Sequence, residues 1–135
     1  MSATIEQPDY HRVSPGRIAL IVDYVPEVAG QPVIIPRHFE SDGATIPKIA
    51  QPIVGKPLDE SYLPAAVVHD WYCKRALEFR CWATRVHGDT AFLWMLRALE
   101  VPYWKRLLMF LAVVLWGRFR FRYLDPVFRL FSKGN

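Results

Sequence analysis

Most of the eleven prolines in this 135-residue chain lie at or before Pro64, and that placement limits the fold more than any other feature. Proline has no amide hydrogen and its ring clashes with the preceding turn, so a proline-studded segment is confined to strands, turns and short pieces of helix. After Pro64 only Pro102 and Pro126 interrupt the chain. Long helices therefore belong to the second half. The expectation is an α+β protein, in which a short N-terminal β-hairpin or small sheet packs on a bundle of about three helices.

The segments follow from local pattern. Residues 1–16 read as a polar lead-in, and Arg17 to Val25 as a strand rich in Ile, Leu and Val. Val33-Ile34-Ile35 reads as a second strand, able to pair with the first across the turn around Gly30. The Asp42-Gly43 turn follows, then an irregular stretch over residues 48–61. Ser61 is a candidate cap for a helix over Leu63–Leu77 with Pro64 in its first turn. A second helix is expected over Val86–Leu99 and a third over Tyr103–Trp116, ending at Gly117. Arg118 to Tyr123 alternates basic and aromatic residues, a strand-like period that an amphipathic tail shares. One domain over residues 1–135 is expected, with a β and loop part at 17–62, a helical core at 63–117 and a basic aromatic tail at 118–135.

Charge divides the chain in the same way. Residues 1–100 hold ten Lys/Arg against twelve Asp/Glu, whereas residues 101–135 hold seven against Asp125 alone. A basic, aromatic tail suits an anionic surface such as a phospholipid membrane. It is also what the solvated face of a terminal element looks like. No nucleic-acid module accompanies it, so nucleic acid is not an expected partner. Cys73 and Cys81 are too few for a zinc finger or a disulfide framework and are read as thiols in a reducing compartment. The start of the sequence lacks the basic-then-apolar pattern of a secretory signal. The longest apolar run, Leu107–Trp116, is half of the roughly 20 residues a spanning helix needs, so no transmembrane span is expected.

One ionisable residue falls where burial is predicted. Val86, Asp89, Leu93 and Leu96, with Phe92 alongside, form the apolar stripe of the second helix. A carboxylate on that stripe costs several kcal/mol unless it is paired. The first helix supplies His69-Asp70 within Ala65-Ala66-Val67-Val68-His69-Asp70-Trp71. Successive helical residues point about 100° apart, so His69 is expected to face Asp89 while Asp70 faces the Asp42 loop. An imidazole held by a carboxylate is fixed in one tautomer and suits activation of water. A second carboxylate beside loop oxygens at Asp42-Gly43 suits Ca²⁺, and the combination suits ester hydrolysis. A polar knot that merely organises the helices fits the same residues. His87 is expected to be exposed, and His11 and His38 to be incidental.

Three ordered segments carry a resemblance. Val33 to Pro47, Tyr62 to Trp71 and Thr84 to Phe92 resemble an uncharacterised family common in bacteriophages and prophages, domain-of-unknown-function family 1353. The likeness runs over about residues 17–117 and implies a viral or prophage origin. At motif level, Asp42-Gly43-Ala44-Thr45, His69-Asp70 and Asp89 with Phe92 resemble the core of phospholipase A₂ enzymes. That resemblance implies His69 as base, Asp89 as its orienter, and Asp70 with Asp42 and Gly43 as the calcium site. The phospholipase pattern usually has Tyr where this chain has Cys73. Its disulfide between calcium loop and helix would fall at Ala44 and Ala66.

Three functions are therefore carried forward. The first is a phage-encoded, calcium-dependent, phospholipase A₂-like lipid-ester hydrolase whose tail docks on anionic lipid. The second is a non-catalytic virion protein of tail or capsid, partnered by other virion proteins. The third is an intracellular effector that binds a host or defence protein. The expected location is the host cytoplasm or the virion.

Overall fold

The computed structural model describes residues 5–43 and 51–119. The chain is α+β, with strands first and helices after them, as the prolines require. Strands β1 (Tyr10–Ser14), β2 (Arg17–Leu20) and β5 (Glu40–Ser41) form an antiparallel sheet in the order β1-β2-β5. Strands β3 (Glu27–Val28) and β4 (Gln31–Pro32) form a separate small hairpin. Ala29 and Gly30 at its tip both have positive φ, 51° and 81°, the pattern of a tight turn matched to strand twist. A bridge between Tyr24 and Ile35 continues the pairing inward.

The β half departs from the sequence expectation in instructive ways. Residues 10–14 are a strand and not part of a polar lead-in. Tyr10 is half-buried and the other four are exposed, so no alternating hydrophobicity marks this edge strand. The expected long strand over 17–25 stops at Leu20, because Ile21 and Val22 turn outward and are exposed. Its partners are β1 and β5. Of the expected pairing with Val33–Ile35, only the Tyr24–Ile35 bridge forms.

The helices are α1 (Gln51–Val54), α2 (Leu63–Phe79), α3 (Trp82–Ala98) and α4 (Tyr103–Phe119). The short α1 lies in the stretch expected to be irregular. Ser61 does not cap α2. Its amide and hydroxyl are both held by the Asp59 carboxylate, and Tyr62 takes the cap position. Only Arg80 and Cys81 separate α2 from α3, which makes the two an antiparallel helical hairpin. Gly88 permits their close approach, since a Cβ there would lie 2.6 Å from the Tyr72 Cβ.

α4 runs through Gly117 to Phe119, so this glycine does not end the helix. It makes room for Arg85, whose Nη2 would lie 2.3 Å from a Cβ at position 117. The expected tail begins inside α4 at residues 118–119, and the rest of it lies outside the described residues.

One core joins sheet to helices. Ile18, Leu20, Ile35 and Phe39 come from the β half, Leu63, Val67 and Val68 from α2, Phe92, Met95 and Leu96 from α3, and Met109 and Val113 from α4. Burying each of the larger side chains contributes about 1.5–3 kcal/mol. That core sets the backbones of α2 and α3 and so places the polar residues between them. The buried side of α3 is rotated from the expected stripe. Val86 and Leu93 are exposed, while Arg85, Gly88, Asp89, Phe92, Met95 and Leu96 face inward.

Candidate functional site

His69 and Asp89 meet in the α2–α3 interface. His69 Nε2 lies 2.7 Å from Asp89 Oδ1, and both residues keep less than a tenth of their surface. A carboxylate accepts hydrogen bonds and does not donate them, so Nε2 carries the proton and Nδ1 of the neutral ring keeps its lone pair. Burial is the main force lowering the His69 pKa below 6.5. The Asp89 hydrogen bond opposes that shift, whereas the Arg85 charge reinforces it. The imidazole is therefore a neutral base near pH 7. Phe92 packs beside it, with ring centroids 5.1 Å apart.

Two further residues complete the cluster. Arg85, one turn before Asp89 on α3, places Nε 3.3 Å from Asp89 Oδ1. Its Nη2 donates to the Val113 carbonyl of α4 at 2.8 Å, and its Nη1 lies 2.7 Å from Cys73 Sγ. Cys73, one turn after His69 on α2, has Sγ 3.7 Å from His69 Nδ1 and 3.8 Å from Nε2. The buried Asp89 charge is thus opposed by a buried guanidinium, which offsets part of the penalty of enclosing either alone. Neither Arg85 nor Cys73 stood out as a site residue in the sequence. The available signal was spacing, since both sit four residues from a member of the expected pair, on the same helical face.

Asp70 points elsewhere, toward β5. Ser41 Oγ donates to Asp70 Oδ2 at 2.5 Å, the Asp42 amide also donates to the carboxyl, and the Gly43 amide donates to Ser41 Oγ at 3.1 Å. The residue keeps some surface, yet its carboxyl is enclosed, and burial raises its pKa from 3.8 to about 7. The Ser41 hydrogen bond opposes that rise more than any other contact, and the Asp42 charge adds to it.

The four residues expected to form one site therefore divide. His69 and Asp89 form one centre, and Asp70 forms a second on the adjoining face of α2. The Asp42 carboxylate joins neither. It is exposed and pairs with Arg17 Nε at 3.6 Å. Gly43 has φ +73°, and a Cβ there would lie 2.1 Å from the Pro57 carbonyl oxygen, so its glycine is a steric requirement of the loop. His87, His11 and His38 are all exposed.

The described residues do not fit a calcium cage. The Asp42 carboxylate turns away, and the Asp70 carboxyl is taken up by a hydroxyl and an amide. Among the described residues no group of three His, Cys, Asp or Glu side chains gathers that could hold a metal ion.

Fold and cluster together define an α+β protein with a buried His–Asp–Arg cluster between two helices and a half-buried Cys beside it. The model of a protein family of unknown function, DUF1353, matches residues 19–113, and the chain belongs to that family. It is 44% identical over 92 residues to the uncharacterized protein y4iH of Sinorhizobium fredii, covering 67% of this chain and 35% of that protein. It is 35% identical over 85 residues to the uncharacterized protein y4jT of the same organism, covering 62% of this chain and 23% of that one. The chain thus spans about a third and a quarter of the lengths of these relatives. No solved structure matches it.

Proposed function

We propose that this chain is a hydrolase of lipid esters, encoded by a phage or prophage, with His69 as general base and Asp89 as its orienting carboxylate. The observation that carries the reading is the 2.7 Å contact from His69 Nε2 to Asp89. It leaves Nδ1 as the unprotonated nitrogen of a ring that burial keeps neutral. Such a nitrogen takes a proton from the attacking group and returns it to the leaving alkoxide, while Asp89 stabilises the imidazolium between those steps. In the phospholipase A₂ pattern the attacking group is water. No step is routed through a metal, because the described donors do not fit one.

A lipid substrate is supported by α4. Trp104, Leu107, Leu108, Leu111 and Leu115 are exposed, at about 44–64% of their surface. Lys105 and Arg106 lie on the same helix and α4 carries no acidic residue. An exposed apolar, cationic helix suits the boundary of an anionic bilayer. No helix among the described residues is long and apolar enough to cross a membrane.

The test is fatty-acid release from phosphatidylglycerol-containing vesicles, with and without calcium, by the parent protein and by His69→Gln and Asp89→Asn. Release should fall by about 10²-fold or more in both variants. No release by the parent, or undiminished release by folded variants, rejects the reading.

A second reading is a non-catalytic virion or assembly protein. Its support is the Arg85–Val113 hydrogen bond, which ties the cluster to α4 and gives it a structural use. On that reading His69→Gln lowers stability and the protein co-purifies with tail or capsid particles.

A further inference from the structure

Cys73 packs against the His69 ring, within reach of the Nδ1 that the Asp89 contact leaves unprotonated. Its Sγ is 3.7 Å from that nitrogen and 3.8 Å from Nε2, and the Arg85 guanidinium lies 2.7 Å from the sulfur. Cys73 forms no disulfide. It is half-buried, whereas His69, Asp89 and Arg85 are buried. Of the four residues it keeps the most exposed surface. A thiol close to both an oriented imidazole and a fixed cation is set up to react as thiolate.

We propose that Cys73 is the nucleophile of the hydrolase, in a Cys73–His69–Asp89 relay with Arg85 holding the thiolate. The substrate class is a carboxylic ester, and the proposal rests on the hydrolase reading above. Sγ is nearly equidistant from the two ring nitrogens, so it lies off the Nδ1 lone-pair axis. A shift of the sulfur toward Nδ1 is needed to align it, and nucleophile–base contacts are commonly loose before substrate binds.

In the first half-reaction the thiol proton passes to His69 Nδ1 and sulfur attacks the ester carbonyl carbon. The S–C bond forms, the C–O bond breaks, and the departing alkoxide takes the proton from the imidazolium as the alcohol leaves. In the second half, water gives a proton to Nδ1 and its oxygen attacks the thioester. The C–S bond breaks, the carboxylic acid leaves and the proton returns to sulfur. No oxidant or further reactant is needed.

The test uses the full chain carrying Cys81→Ser, so that one thiol is followed. Iodoacetamide alkylation of Cys73 is timed at pH 7 in the native protein and in urea, and again with Arg85→Met and Asp89→Asn. The native thiol should react about tenfold faster than the unfolded one, and both substitutions should remove that excess. In parallel, brief exposure to p-nitrophenyl acetate should place one acetyl group on the Cys73 peptide, absent in His69→Gln. A native alkylation rate at or below the unfolded rate overturns the proposal. So does Cys73→Ala that keeps His69-dependent nitrophenol release, an outcome that leaves the His69–Asp89 hydrolase reading intact. Failure of the hydrolase reading has a different signature, an activated Cys73 with no ester turned over.

Discussion

Asp89 and Asp70 are both carboxylates enclosed by the same helix pair and its neighbours, and they meet that enclosure differently. Asp89 has a guanidinium 3.3 Å away and an imidazole N–H at 2.7 Å. Asp70 has a hydroxyl and a backbone amide, and Arg85 acts on it only as the smallest of the named influences. Neutral donors reduce the cost of a buried anion without removing it, and the pKa of Asp70 rises to about 7. The difference shows what each centre suits. The Asp89 centre suits orienting a base, whereas the Asp70 centre exchanges a proton near neutrality.

Substitution at Asp89 is the largest expected disruption. Asp89→Ala leaves the Arg85 guanidinium buried without its carboxylate, and breaking such a pair costs about 3–5 kcal/mol. Urea unfolding at pH 7 measures this. A loss below about 1 kcal/mol would mean that the charge is not enclosed.

Asp70 sharpens the contrast through pH. Its folded pKa, about 7, is above its unfolded value of 3.8, so the native state binds the proton more tightly. That stabilisation is complete below pH 3.8 and is lost as pH rises to 7. His69 works in the opposite direction. Its folded pKa is depressed, so its contribution is present above pH 6.5 and is lost as pH falls through the folded value. Asp70→Asn should raise stability at pH 8 by about 3 kcal/mol and uncover the His69 trend between about pH 7 and 5, with melting temperature falling toward acid. A pH profile unchanged by Asp70→Asn contradicts the assignment.

Gly117→Ala tests the enclosure of Arg85 without touching charge. The added methyl meets the guanidinium at 2.3 Å, and the forced shift should cost about 1–3 kcal/mol even though alanine favours helix. A stabilised variant would show that Arg85 does not pack there. The smallest effect belongs to Asp42→Ala, which removes an exposed ion pair and should change stability by less than about 0.5 kcal/mol. A larger loss would place Asp42 in a site after all.

The sequence made some of this arrangement legible. Asp89 on an apolar stripe required a partner, and helical geometry left His69 to supply it while turning Asp70 toward β5. The stripe itself was misplaced by part of a turn, because Val86 and Leu93 look like core yet face solvent, while Arg85 looks like surface yet is buried. Composition cannot show that a guanidinium will be enclosed when its partners come from Cys73 and from Val113 of another helix. Gly117 misled in the same way. Helix ends and close helix contacts both select glycine, and only the packing of Arg85 tells them apart. β1 was invisible because an exposed edge strand carries no alternation.

The central claim is that His69 is a neutral base whose Nε2–H is held by Asp89 and whose Nδ1 is open to accept a proton. Long-range ¹H–¹⁵N correlation spectra of the imidazole at pH 7 read this directly. The account predicts a protonated Nε2 and an unprotonated Nδ1 in the native protein, with that pattern lost in Asp89→Ala. A protonated Nδ1 at pH 7, whether in the other neutral tautomer or in the imidazolium, would contradict it.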